Sequence, residues 1–237
     1  MLVEENLSPN YSNKPRSIRK IKFVIIHYTG MQSEIESIKR LKDLRSKVSC
    51  HYLINRKGKI FQMVKDTRVA WHAGKSKWKK FENLNNNSLG IELVNKGHRY
   101  GYQSFNTRQI TSLIWLCKKL KKKYAIKKEN FLGHSDIAPL RKKDPGEKFP
   151  WKKLNTYKIG KWYKEHYLKY ELNTKHLEIL FFRNLHKLGY RYFNTNKRSH
   201  KDKMVIKSFQ QHYLPNNVTG RIDNKTFIIS HFLINSS

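Results

Sequence analysis

Two side chains ten positions apart, His134 and Asp144, carry the chemistry that this chain could perform. Both lie in FLGHSDIAPLRKKDPGEKFPW, residues 131–151. Pro139 and Pro145 forbid a continuous helix across that stretch, because proline lacks an N–H and biases its predecessor toward extended backbone. The stretch therefore reads as a shaped loop that can turn both side chains toward one point. An imidazole nitrogen and a carboxylate oxygen converging there suit a metal with mixed ligands. Two ligands do not make a catalytic zinc site. The natural candidate for a third is His27, near the end of the apolar run IKFVIIHYTG, residues 21–30. Three protein ligands leave the fourth position to water, the open arrangement of hydrolytic sites.

The elements that must position these groups follow from pattern. KFVIIHY, 22–28, is short, β-branched and closed by Thr29 and Gly30, which predicts a buried strand. His27 sits at its C-terminal end, where ligands gather in open sheets; the alternative is a histidine that only caps the strand. LGIELV, 89–94, predicts a second buried strand in which Glu92 faces away from Ile91 and Leu93. A carboxylate inside a strand must line a polar cleft or meet a cation, a lysine ion pair being the plainer reading. HYLIN and IFQMV flank RKGK and predict a hairpin turning at Gly58, with His51 at its start. His51 reads as a hydrogen-bonded residue lining the sheet rather than a ligand.

Ser33 and Glu36 form a capping box, and Ile35, Ile38, Leu41 and Leu44 predict a helix over 34–46. Asn106 caps a second helix whose apolar stripe runs from Ile110 to Tyr124, with solvated lysines at 118–119 and 121–123. Residues 1–17 read as an extended arm, 75–87 as a mobile surface loop, and 96–105 as an aromatic loop bordering the cleft. From about Thr174 onward, three short helical patterns separated by polar breaks predict a three-helix unit.

Composition bounds the partners. Fifty Lys plus Arg against 17 Asp plus Glu give a formal charge of +33, which attracts polyanions, wall polymer and nucleic acid alike. The basic residues are scattered, and no zinc finger, RNA-recognition or basic-zipper pattern is present, so no specific nucleic acid is implied. Cys50 and Cys117 form no CxxC pair and indicate no disulfide framework. Cys117 reads as a buried hydrophobe, and Cys50 as a residue close to the site. No run approaches the roughly 20 apolar residues of a membrane span. The N-terminus MLVEENLSPNYSNKP has neither the basic start nor the apolar core of a secretory signal.

HYTG at 27–30, VSCHYLINRKGKIFQMV at 48–64, AWHAG at 70–74, LGIELVN at 89–95 and GHSDIAPLRKKDPG at 133–146 together resemble the zinc-dependent N-acetylmuramoyl-L-alanine amidases. This is the amidase-2 family, which shares its fold with peptidoglycan recognition proteins; the likeness covers roughly 15–155. It implies an α/β catalytic domain over 1–160 with a mixed central β-sheet flanked by helices. A linker over 161–173 would follow, then a small three-helix domain, 174–237, resembling a peptidoglycan-binding domain through LGY, FQQHY and VTGRIDNKT. The resemblance implies one Zn2+ per chain on His27, His134 and Asp144, with Glu92 as the proton-handling residue. Lys142, two positions before Asp144, is placed to stabilise an oxyanion. His51 and His72 are the candidate substrate-binding residues, although His72 could equally pack against Trp71.

The implied substrate is peptidoglycan or a muropeptide, cut between N-acetylmuramic acid and L-alanine by a monomer. Family and C-terminal unit favour the bacterial envelope or periplasm, whereas a complete N-terminus would favour the cytoplasm. The alternatives are a recognition protein that binds peptidoglycan without cutting it and a basic nucleic-acid-binding protein.

Overall fold

A computed structural model of the chain describes residues 1–170 and 176–235, apart from the side chain of Tyr167. Ten strands and seven α-helices follow one another along the described chain. The first nine strands are β1 Val3–Glu5, β2 Tyr11–Ser12, β3 Phe23–Tyr28, β4 Tyr52–Ile54, β5 Ile60–Gln62, β6 Val69–Ala70, β7 Lys77–Trp78, β8 Phe81–Glu82 and β9 Ser88–Leu93. Helix α1, Glu34–Lys42, follows β3, and α2, Thr107–Tyr124, follows β9. Strand β10, Phe131–Gly133, leads into α3, His134–Ile137, and α4, Trp151–Thr156. The chain ends in α5 Leu177–Leu188, α6 Asp202–Tyr213 and α7 Asn224–Asn235.

The main sheet has six strands in the order β1-β5-β4-β9-β3-β10, parallel except for the β4–β5 hairpin. It is therefore mixed, as the family resemblance implies. Alternation along β3 divides the core in two. Val24 and Ile26 pack with Leu89, Ile91 and the stripe of α2 on one face. Each such side chain, fully buried, is worth roughly 1.5–3 kcal/mol. Phe23 and Ile25 face the other way and join Leu132, Phe181, Leu185 and Phe209 in a cluster that includes the C-terminal helices.

Those helices thus cover the second face of the sheet. The segment predicted as a linker is part of the same packing, with Trp162 stacked on Tyr163 and Tyr163 buried. Its last residues, and the predicted start of the helical unit at 174–175, lie outside the described residues, as do 236–237.

Three segments differ from expectation. Helix α1 stops at Lys42 rather than 46, because the Asp43 side chain accepts from Arg45 N–H and starts a separate 3-10 turn, Leu44–Ser46. Leu44, in that turn, is exposed, and so is Ile35 within the helix itself. The N-terminal arm is tied into the structure: β1 pairs with β5 at the sheet edge and β2 with β6. Residues 75–87, predicted as a mobile loop, contain the β7–β8 hairpin, with Trp78 and Leu84 buried. Trp78 packs edge-on against Tyr190, and Lys79 N–H donates to Gly189 C=O, so the hairpin docks the C-terminal helices.

Candidate active site

Strand β3 delivers His27 on the Phe23/Ile25 side, and its neighbour β10 delivers His134 as the first residue of α3. Asp144 returns from the same loop. His27 Nδ1 lies 2.9 Å from His134 Nδ1 and 2.9 Å from Asp144 Oδ2, and His134 Nδ1 lies 3.0 Å from Asp144 Oδ2. The three residues are 1, 2 and 7 % exposed. The sequence-predicted ligands therefore converge.

The hydrogen bonds around this triangle fix which nitrogens carry protons. A carbonyl can only accept, so Ser88 Oγ–H donates to Leu84 C=O, 2.6 Å away. Ser88 Oγ must then accept from His72 Nε2–H at 3.2 Å. His72 Nδ1 is left as an acceptor, and His27 Nε2–H donates to it at 3.0 Å. His27 Nδ1 is thereby a bare lone pair. His134 Nε2–H donates to Ala73 C=O at 3.2 Å, which leaves its Nδ1 bare as well. Arg141, 3.3 Å from that Nε2, donates to the same carbonyl and to Lys75 C=O. Burial, then the neighbouring His134, pushes His27 down to about 4, so its imidazole is neutral at neutral pH.

Two imidazole lone pairs and a carboxylate thus face one another with no proton to share. A divalent cation satisfies all three, and histidines locked by an outer hydrogen bond are what such a site requires. These residues fit a metal ion.

Glu92 on β9 lies opposite His27 in the sheet register and lines the same cleft, about 560 Å³ in volume. Its Oε2 is buried with no hydrogen-bond partner among the described residues. Burial, and then Asp144, pushes the carboxyl up to about 8, while Lys142 pulls it back. A carboxyl poised there can take and return a proton at neutral pH. Lys142 lines the cleft, with Arg40, Arg99 and Lys143 giving the wall a basic character. The predicted aromatic loop does border it. His98 stacks on Tyr102 and bridges Tyr28 to Glu147, and Tyr102 O–H donates to Pro145 C=O at 2.5 Å.

His72 lines the cleft but is held on both nitrogens, its ring lying over Gly90, where a β-carbon would come within 2.4 Å. His51 is not among the lining residues. It is fully buried, accepts from Gly90 N–H and contacts Arg16 and Arg68 C=O. Cys50 packs with Leu53, Met63 and Val94 and does not line the cleft. Ser88 and Ala73, which set the tautomers, gave no signal of their own in the sequence, Ala73 standing inside AWHAG and Ser88 directly before LGIELV.

The mixed sheet and this donor set define an α/β protein with a candidate metal centre of two histidines and one aspartate. The family model for N-acetylmuramoyl-L-alanine amidase matches residues 17–147, and the chain belongs to that family. It is 34% identical over 232 residues to the N-acetylmuramoyl-L-alanine amidase AmiD of Escherichia coli, covering 91% of this chain and 83% of that one. It is 32% identical over 164 residues to the 1,6-anhydro-N-acetylmuramyl-L-alanine amidase AmpD of Haemophilus influenzae, covering 62% of this chain and 86% of AmpD. AmiD in complex with anhydro-N-acetylmuramic acid-L-Ala-D-γ-Glu-L-Lys superposes with a TM-score of 0.81 at 33% identity, covering 96% of this chain and 93% of that one. AmpDh3 of Pseudomonas aeruginosa in complex with anhydromuramic pentapeptide gives 0.83 at 28% identity, with 96% of each chain covered. The family resemblance drawn from five short motifs is borne out. Among the described residues no helix is long and apolar enough to cross a membrane.

Proposed function

We propose that the chain hydrolyses the amide bond between N-acetylmuramic acid and L-alanine in peptidoglycan or muropeptides, using one zinc ion per chain. The observation that carries this reading is the triangle of proton-free donors beside an unpartnered Glu92. His27 Nδ1, His134 Nδ1 and Asp144 Oδ2 would hold the metal. When bound, zinc supplies Lewis-acid polarisation and brings the pKa of the attacking water toward neutrality. Glu92 accepts that water's proton and returns it to the departing amine, a double duty suited to its raised pKa. Lys142 stabilises the oxyanion formed at the attacked carbonyl. His72 orients His27, and His51 supports β9 from behind through Gly90.

Anhydro-muropeptides are the favoured substrate, supported by the ligands bound to the two superposed relatives. The basic cleft wall suits their peptide carboxylates. All five chemical groups come from one chain, which supports action as a monomer. We assign catalysis to 1–160 and wall attachment in the bacterial envelope to the helices of 174–237, a division supported by their peptidoglycan-binding-like pattern.

Mass spectrometry of purified anhydro-muropeptides incubated with the protein, with and without chelator, tests this. Release of the intact L-alanine-led peptide, abolished by chelator and restored by zinc, is expected. Full cleavage by metal-free protein would refute the mechanism, and binding without cleavage would favour a recognition protein.

A further inference from the structure

A second carboxylate in the metal loop is held from outside the catalytic sheet. Asp136 is the third residue of α3, two positions after His134, and is 1 % exposed. Its Oδ2 accepts from Gly133 N–H at 2.7 Å and from His212 Nδ1–H at 2.8 Å, and its Oδ1 accepts from Tyr190 O–H at 2.5 Å. Two of those three donors come from the C-terminal unit: His212 from α6, and Tyr190 from the turn after α5.

Neither donor is free to move. His212 lies between Trp151 and Tyr213, with ring centroids 4.1 Å away on each side and planes within 10° and 16°. Tyr190 is fully buried, with Trp78 against its ring. The turn they grip cannot hold itself, because a helix of four residues has too few internal hydrogen bonds to persist. The grip also reaches the third ligand: Ser135 N–H donates to Asp144 C=O at 2.8 Å. Gly133 leaves room for Pro145, whose ring would lie 2.7 Å from a β-carbon there.

We propose that Tyr190 and His212 are positioning residues of the metal centre: by clamping Asp136 they fix the turn that aims His134 Nδ1 and, through Ser135, register Asp144 against it. The C-terminal helices then belong to the hydrolytic apparatus as well as to any wall contact. This rests on the metal-site reading above. Outer hydrogen-bond partners of metal ligands typically change affinity by about 10–100-fold when removed. Tyr190 and His212 act one residue further out, through the backbone of the turn.

The test uses the full-length chain and three variants. Tyr190→Phe and His212→Gln each remove one donor to Asp136 while keeping side-chain bulk. Asn184→Ala instead breaks the Asn184–Ser230 hydrogen bond inside the helical unit, away from Asp136. Zinc affinity is measured by chelator competition, the visible spectrum is recorded with cobalt in place of zinc, and the melting temperature is taken without metal. Zinc affinity about 10-fold weaker and a displaced cobalt spectrum are expected for Tyr190→Phe and His212→Gln. Asn184→Ala should lower the melting temperature and leave both metal readouts unchanged. Loss of melting temperature alone in all three variants, or equal loss of affinity in all three, overturns the proposal. Absence of zinc binding by the unaltered chain overturns the metal reading itself and this proposal with it.

Discussion

Asp136 and Asp144 sit eight positions apart in one loop, both buried and both against an imidazole, yet their surroundings are opposite in kind. Asp136 meets three hydrogen-bond donors: an amide, a phenol and an imidazole N–H. Asp144 meets two imidazole nitrogens whose protons have been drawn to their far sides, one by the Ser88–His72 chain and one by Ala73 C=O. Residue type and burial do not separate a structural carboxylate from a ligand carboxylate here. The count of protons facing it does. A full complement makes a clamp, and none makes a donor set suited to a cation.

The largest effects come from deleting each carboxylate. Asp144→Ala is expected to abolish zinc binding and lower kcat/KM by roughly a thousand-fold or more, with little change in the melting temperature of metal-free protein. Asp136→Ala strands three buried donors and should cost about 3 kcal/mol, a fall in Tm of roughly 6–12 °C. Equal stability losses from both would mean that Asp144 is as well satisfied without metal as Asp136.

Amide substitutions sharpen the contrast through a change of sign. Asp144→Asn places N–H groups against two bare nitrogens and should raise metal-free stability by about 1 kcal/mol while destroying the site. Asp136→Asn turns a donor toward donors and should lower stability by about 1–2 kcal/mol. Calorimetry of the two chelated variants reads this directly, and a common sign contradicts the proton count. Ser88→Ala is subtler. It removes the anchor of the His72–His27 chain, lets both imidazoles change tautomer, and should weaken zinc affinity about 10-fold with kcat at saturating zinc nearly unchanged. Unaltered affinity would show that His27 is oriented without that chain.

Much of the catalytic half was legible because its signals are local. A β-branched run ending in histidine, an N-cap before an apolar stripe and a proline-broken loop each declare themselves within a few residues. The β7–β8 hairpin did not, since Lys79 takes the left-handed turn position with φ 51° where glycine or asparagine is the readable choice. Strand β1 was missed because VEE has no pattern of its own and forms only as the neighbour of β5. The three ligands could be named, but their protonation could not, because it depends on carbonyls at Leu84 and Ala73 that every residue type carries. The clamp on Asp136 was illegible for a related reason. It joins residues 76 and 54 positions apart that are drawn together only by the core beneath the sheet.

The smallest expected effect comes from a third carboxylate, beside Asp144. Glu92 faces Asp144 across the cleft, and burial raises its carboxyl from the usual 4.5 to about 8 in the metal-free protein. The folded chain therefore holds this proton between those two values while the unfolded chain has released it. Stability depends on pH as the protons bound by the unfolded state minus those bound by the native state, and that difference is negative here. The contribution is complete below about pH 4.5 and is lost as pH rises through 8, with a slope of at most about 1.4 kcal/mol per pH unit. Glu92→Gln cannot ionise and should flatten the decline of metal-free Tm between pH 5 and 8. An unchanged slope in Glu92→Gln would mean that the Glu92 carboxyl is already ionised at neutral pH in the metal-free protein, ready to take a proton but not raised far enough to retain one there.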